Sequence, residues 1–465
     1  MEKTCKIYFQ VDITAPAIAC GSHILDKEEK QMRERLFISD SQTLEDLSLV
    51  QRFRKDGVLP VFDRTVTRKG SARLEEMFRT PLTDAAAINS RRAAFDYFRK
   101  VGTSFPFDAA QIEEASTFIG PSAIGFVPAV FENIALKIKG IIYGGDIRGS
   151  LRRARLSVFS LASQTVEYLS CLPADNCPFA ELRELLLREL SHLEPSRKSS
   201  LRDDILLRHR KGDALAKMLS LIYDIDLFTA VAAAAEERGF CSAEAVPDGD
   251  FIDIKGVYHP ALEHPVGNDL LMDAASNMLF LTGVNMAGKS TFMKAVSIAV
   301  YLAHAGFPVP AASMRFSPMD GLFTSINVSD SIALSLSHFY AEVQRVKAVA
   351  QKVASGGRYF VVFDELFKGT NVKDAYDATL EVTAAFARFK ACRYIVSTHI
   401  TEVGQALKEQ CADVQFRRLC STSSGPGSVP VYTYRLEDGI STERHGMDII
   451  RAEHILEILS GDIDK

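Results

Sequence analysis

Apolar positions in this chain change their period near the middle. From Thr43 to about Arg238 they recur with helical spacing. Gly70 to Arg79 reads as a helix that stops before Pro81. Thr83-Asp84 then caps a second helix through Ile88, Ala93, Phe95 and Phe98. Asp213 opens a long helix with Leu215, Leu219, Ile222, Ile225 and Val231 on or near one face, ended by Gly239 as a C-cap. Between these, Pro173 to Pro178 is a turn. Over Ala243 to Asp250 the composition shifts to Pro, Gly and Asp, which marks a boundary. Beyond it come short β-rich runs at Phe251–Ile254, Asn277–Thr282, Tyr359–Phe363 and Arg393–Ser397, the later ones separated by helical stretches. That alternation predicts a largely parallel sheet with helices on both faces. Ser421 to Ser428 reads as a surface loop. Three segments follow: 1–42, unassigned, with only a short charged stretch at Glu28–Arg35 compatible with helix; 43–242, all-α; and 243–465, α/β.

Composition narrows this picture only a little. The chain has 465 residues, 47% hydrophobic and 24% charged, which suits a soluble protein of two to four domains. A net charge of −5 argues against coating nucleic acid by bulk charge, while leaving a local basic surface open. The first ten residues lack an apolar core for a signal peptide, and no apolar run reaches about 18 residues, so no membrane span is predicted. The eight cysteines are scattered without a C-x-x-C pair. They read as reduced thiols of a cytoplasmic protein, not as a metal site.

Chemistry enters at residues 283 to 291, Gly-Val-Asn-Met-Ala-Gly-Lys-Ser-Thr. This is G-x-x-x-x-G-K-[ST], between an apolar run and a helical one, the context of a phosphate-binding loop. Backbone N–H groups of Gly283, Val284, Asn285, Met286, Ala287 and Gly288 would turn toward phosphate, Lys289 would reach it, and Ser290, followed by Thr291, would hold Mg²⁺. ATP with Mg²⁺ is the implied ligand. Downstream, the run Tyr359–Phe363 ends in Asp364-Glu365, which places two acids at the end of a buried strand, where ligands sit in open α/β sheets. Asp364 would orient Mg²⁺ and Glu365 would polarise an attacking water, favouring hydrolysis. His399 closes a third apolar run, in the position of a γ-phosphate sensor.

These blocks together resemble the MutS family of mismatch-repair ATPases. The loop Gly283–Thr291 resembles G-P-N-M-G-G-K-S-T; Asp330 to Glu342 resembles D-D-…-S-T-F-x-x-E; Asp364–Asn371 resembles D-E-I-G-R-G-T-S; and Ser397-Thr-His399 resembles A-T-H. Phe62–Ser71, Pro81–Asp84 and Tyr258–Glu263 are similar to blocks further upstream in that family. The resemblance implies an ABC-type P-loop ATPase domain after an all-α core and lever domain, with two protomers sharing two ATP sites. It assigns Ser337 to the partner's γ-phosphate, Thr370 and Asn371 to the loop facing the partner, and His399 to a switch. Val266 to Asp269 matches the segment near the base, with Tyr434 stacking on adenine, and Ser441–Gly446 matches a late block at the dimer interface.

Departures matter as well. Ala287 replaces a loop glycine, and Phe367-Lys368 replaces Gly-Arg, which implies altered coupling between the two sites. The mismatch-reading domain is expected to be absent, and the DNA-gripping clamp missing or very short. Arg148, Arg152, Arg153 and Arg155, and Arg208 to Lys211, form two basic clusters without interleaved aromatics. The function this implies is an ATP-dependent, dimeric DNA-binding protein acting on mismatched, branched or damaged DNA. The alternative is an ATP-driven dimerising switch on a protein partner without direct mismatch recognition.

Overall fold

The computed structural model describes residues 37–51, 57–120, 147–195, 200–284, 286–326, 338–422, 431–441, 450 and 455–460. Helices come first: α1 (Ser41–Asp46), α2 (Leu59–Phe62), α3 (Arg68–Arg79), α4 (Ala85–Val101), α5 (Ala109–Ile119), α6 (Ile147–Cys171), α7 (Ala180–Leu190), α8 (Ser200–Ile205) and α9 (Gly212–Arg238). A π-turn at Leu206–Arg210 joins the last two. Their starts are set by side-chain caps. Asp40, Thr67, Asp84 and Asp108 accept hydrogen bonds from first-turn N–H groups of α1, α3, α4 and α5. Gly239, left-handed at φ 65°, ends α9.

Two sheets follow. One is a four-stranded sheet in the order β1 (Ala243–Ala245), β5 (Ser313–Phe316), β2 (Phe251–Val257), β3 (Asn268–Asp273). The other has six strands in the order β10 (Val431–Asp438), β9 (Val414–Thr422), β4 (Met278–Thr282), β8 (Arg393–Ser397), β7 (Tyr359–Asp364), β6 (Gly321–Ser325). All its pairings are parallel except β9 with β10. Its helices are α10 (Lys289–His304), α11 (His338–Ala354), α12 (Val372–Ala387) and α13 (Thr401–Gln410); α14 (Ile455–Ser460) comes last.

Alternation along the central strands assigns each face its helices. Leu279, Leu281, Phe360, Val362 and Ile395 point into the core that contains α10. Phe280, Val361, Phe363, Tyr394 and Val396 point into the core built with α11, α12 and α13. Burial on both faces is why these strands read as unbroken apolar runs. A third core lies among α4, α5, α6, α7 and α9. Helix α9 contributes to two cores, Leu227 and Val231 to the first and Leu215 and Ile222 to the third. It is long and apolar enough to cross a membrane by composition, but 78% of its most apolar window is buried in the fold.

Six of the ten strands among the described residues lie outside the sequence expectation. Strand β1 sits inside the stretch read as a boundary, and the four-stranded sheet, antiparallel at β2–β3 and β2–β5, was not foreseen. Its strands are short and interleave polar residues with the buried ones, Glu244 in β1, Asp253 and Lys255 in β2, Asp269 in β3 and Arg315 in β5, so no long apolar run announces them.

Candidate active site

The P-loop connects β4 to α10. Gly288 precedes the helix at φ 98°, and no side chain caps the first turn of α10. Among the described residues its leading N–H groups have no side-chain acceptor, as a phosphate site requires. Lys289 is 5% exposed. Its ammonium donates to the carbonyls of Gly283 (2.8 Å) and Val284 (3.3 Å). Burial lowers its pKa, and the carboxylates of Glu365 and Asp364 partly offset this. A buried ammonium whose hydrogen bonds, among the described residues, go to neutral carbonyls fits an anionic ligand.

Strand register brings the acids to the loop. Asp364, the last residue of β7, pairs with Ser397 of β8. Its two carboxylate oxygens accept from the hydroxyls of Ser290 and Ser397. Ser290 and Asp364 are thus adjacent oxygen donors, a set that suits Mg²⁺. Sequence reasoning gave Ser397 no role of its own; its position one strand over from Asp364 was the available signal.

Glu365 follows in the left-handed region at φ 56°, and Phe367 repeats it at φ 61°. For non-glycine residues such conformations cost about 1–3 kcal/mol each. The Glu365 N–H donates to the Ser397 carbonyl at 3.0 Å, which fixes the turn. His399 Nε2 lies 2.6 Å from Glu365 Oε1, and Lys368 Nζ lies 3.9 Å from Oε2. The His399 hydrogen bond holds the Glu365 carboxyl below its usual range; burial opposes this, and the charges of His399, Lys368 and Lys289 add to the lowering. Lys368 was not singled out for this contact.

A cavity of about 400 Å³ opens beside the P-loop. It is lined by Val266, Met286, Ala287, Gly288, Thr291 and Tyr434, among others. Tyr434 sits at φ 54° where the β9–β10 register shifts, 47% exposed. Asn268 holds it there, donating to the Tyr434 carbonyl at 2.9 Å and accepting from the Leu436 N–H at 2.7 Å. Asn268 lies in the 266–269 segment that the resemblance puts near the base, but sequence reasoning gave it no role of its own. Met286 is 75% exposed at the rim. Asn371 caps α12 through Asp374 N–H at 3.0 Å, so this residue has a structural duty besides its implied place on a partner-facing loop. Ser441 N–H donates to Thr282 Oγ1 at 2.8 Å. Ser337, Asn285, Asp330 and residues 442–446 lie outside the described residues.

Fold and site together have the arrangement of a P-loop α/β domain. Residues 279–459 match the family model of MutS domain V, and the chain is MutS-like. Similar curated proteins include the DNA mismatch repair protein MutS of Fusobacterium nucleatum, 29% identical over 245 residues (51% of this chain, 27% of that protein). Those of Clostridioides difficile and Persephonella marina are 26% identical over 296 residues and 28% over 267. They cover 61% and 56% of this chain, and each is matched over 30% of its own length. The chain therefore spans less than a third of the relatives it matches.

Proposed function

We propose that this chain is a Mg²⁺-dependent ATPase whose cycle is coupled to binding mismatched, branched or damaged DNA. The observation that carries the ATPase reading is the convergence of Ser290, Asp364, Ser397, Glu365 and His399 at the mouth of the P-loop. Gly283 to Thr291 would hold the phosphates, with the Lys289 ammonium as their cation. Ser290 and Asp364 would hold Mg²⁺, whose chemistry here is to neutralise phosphate charge. Glu365, whose carboxyl the His399 hydrogen bond holds below its usual range, would accept a proton from water. The cavity lined by Val266 and Tyr434 would take the adenine. A second copy would complete the site through Ser337. DNA coupling and dimerisation rest on the likeness to MutS proteins.

The test separates these roles. Glu365→Ala should retain ATP in a filter-binding assay while phosphate release falls about 10²–10⁴-fold. Lys289→Ala should lose nucleotide binding itself. A mixture of Ser337→Ala and Lys289→Ala protomers should show whether sites are shared. Gel-shift titration at stated salt with duplex, mismatch, junction and single strands tests the DNA step; no binding to any of them would leave an ATP-driven switch on a protein partner.

A further inference from the structure

We infer that Phe367 is a positioning residue that ties the Glu365 carboxylate to helix α11; this rests on the ATPase reading above. Phe367 occupies a left-handed backbone position at φ 61° that favours glycine, yet its side chain is 4% exposed. Its ring packs against Phe339 in the first turn of α11, with centroids 6.0 Å apart and planes at 60°. Two residues on, Gly369 lies so close to that turn that an added Cβ would come 2.8 Å from the Phe339 nitrogen. The loop 365–369 is thus seated on α11 by a ring and by backbone.

Its other end holds the acid. The Glu365 N–H is bonded to Ser397 and the carboxylate meets His399, so the strained turn at 365–367 is fixed from both sides. Helix α11 is itself anchored elsewhere. Arg345 donates to both carboxylate oxygens of Asp40, the residue that caps α1, and to the Thr324 carbonyl of β6. A shift of α11 relative to the sheet therefore reaches Glu365 through Phe367. Contacts to the P-loop are not on this route: Lys289 and Ser290 are held by Gly283, Val284 and Asp364. The position of α11 should govern turnover and leave nucleotide binding alone.

Steady-state hydrolysis and equilibrium ATP binding test this in Phe367→Gly, Phe367→Leu and Phe339→Ala. Glycine suits the φ of position 367, so that variant should fold, with its melting temperature as the check. Phe367→Gly and Phe339→Ala should each lower kcat about tenfold or more with ATP affinity within about twofold, and Phe367→Leu should recover most of the rate. Wild-type kcat in Phe367→Gly, or an equal loss of affinity and rate, would overturn the role of Phe367. No turnover by the wild-type chain would instead overturn the ATPase reading itself.

Discussion

A hydrogen bond from a neighbouring imidazole lowers the proton affinity of a carboxylate because the charged form is the better acceptor. Glu365 has that bond from His399, and it is the largest cause of the lowered Glu365 pKa. With a depressed pKa the carboxylate stays ionised well into mild acid, and a base that must be ionised loses activity only when pH falls through that lowered value. Removing His399 removes the main cause, so the pKa rises. The acid limb of the kcat–pH profile should therefore move to higher pH in His399→Ala, measured as phosphate release and normalised to each variant's plateau. An unmoved limb would mean that another group sets it. Most of this site was legible in the sequence, because G-x-x-x-x-G-K-S and a strand ending in Asp-Glu are local patterns. The individual roles of Ser397 and Asn268 were not, because each acquires its partner from a different strand, and that of Lys368 was not, because it depends on the left-handed turn at 365–367.

At the level of elements, caps and periodicity predict helices well and say little about what two helices share. The start of α3 meets α9 at Asp226, which is 1% exposed. Asp226 accepts from Val66 N–H (2.9 Å), Thr67 N–H (2.7 Å) and Thr67 Oγ1 (2.6 Å). Gly70 allows the approach, since a Cβ there would come 2.4 Å from Asp226 Oδ2. Gly70 sat inside a predicted helix, where glycine is ordinarily a cost; its reason is a carboxylate that is remote in sequence. Asp226→Ala strands two buried donors of Thr67 and the part-buried Val66 N–H, and should cost roughly 3 kcal/mol in urea denaturation. Gly70→Ala should cost about 1–3 kcal/mol by overpacking. The double variant should cost less than their sum, because without the carboxylate the new methyl meets nothing charged. Additive losses would show that the two residues do not act through one contact.

Across the molecule, α10 joins the P-loop to the helices upstream. Its N-terminus begins in the glycine-rich turn after β4 and its far end is gripped by the α3–α4 elbow. Tyr301 Oη donates to the Phe78 carbonyl at 3.0 Å, and Leu82 N–H donates to the His304 carbonyl at 2.8 Å. Arg91 closes the joint, donating to Ala305 (2.9 Å), Thr80 (3.2 Å) and Met77 (3.3 Å) carbonyls at the ends of both helices. Burial lowers its guanidinium pKa to about 10, so it remains charged at neutral pH. No local motif announces Arg91; in sequence it is one of two adjacent arginines on a helix. A ligand that binds only the folded form adds about 2.7 kcal/mol at a hundred times its Kd, and a rigid α10 would pass part of that stabilisation to the elbow. Saturating Mg-ATP should then slow amide hydrogen exchange in α10 and across residues 79–85, and much less in α6 and α7, which pack in the separate third core. In Arg91→Ala the protection of α10 should persist while that of 79–85 falls toward its nucleotide-free level. Equal protection of the elbow in wild type and Arg91→Ala would locate the coupling in the Tyr301 and Leu82 contacts instead.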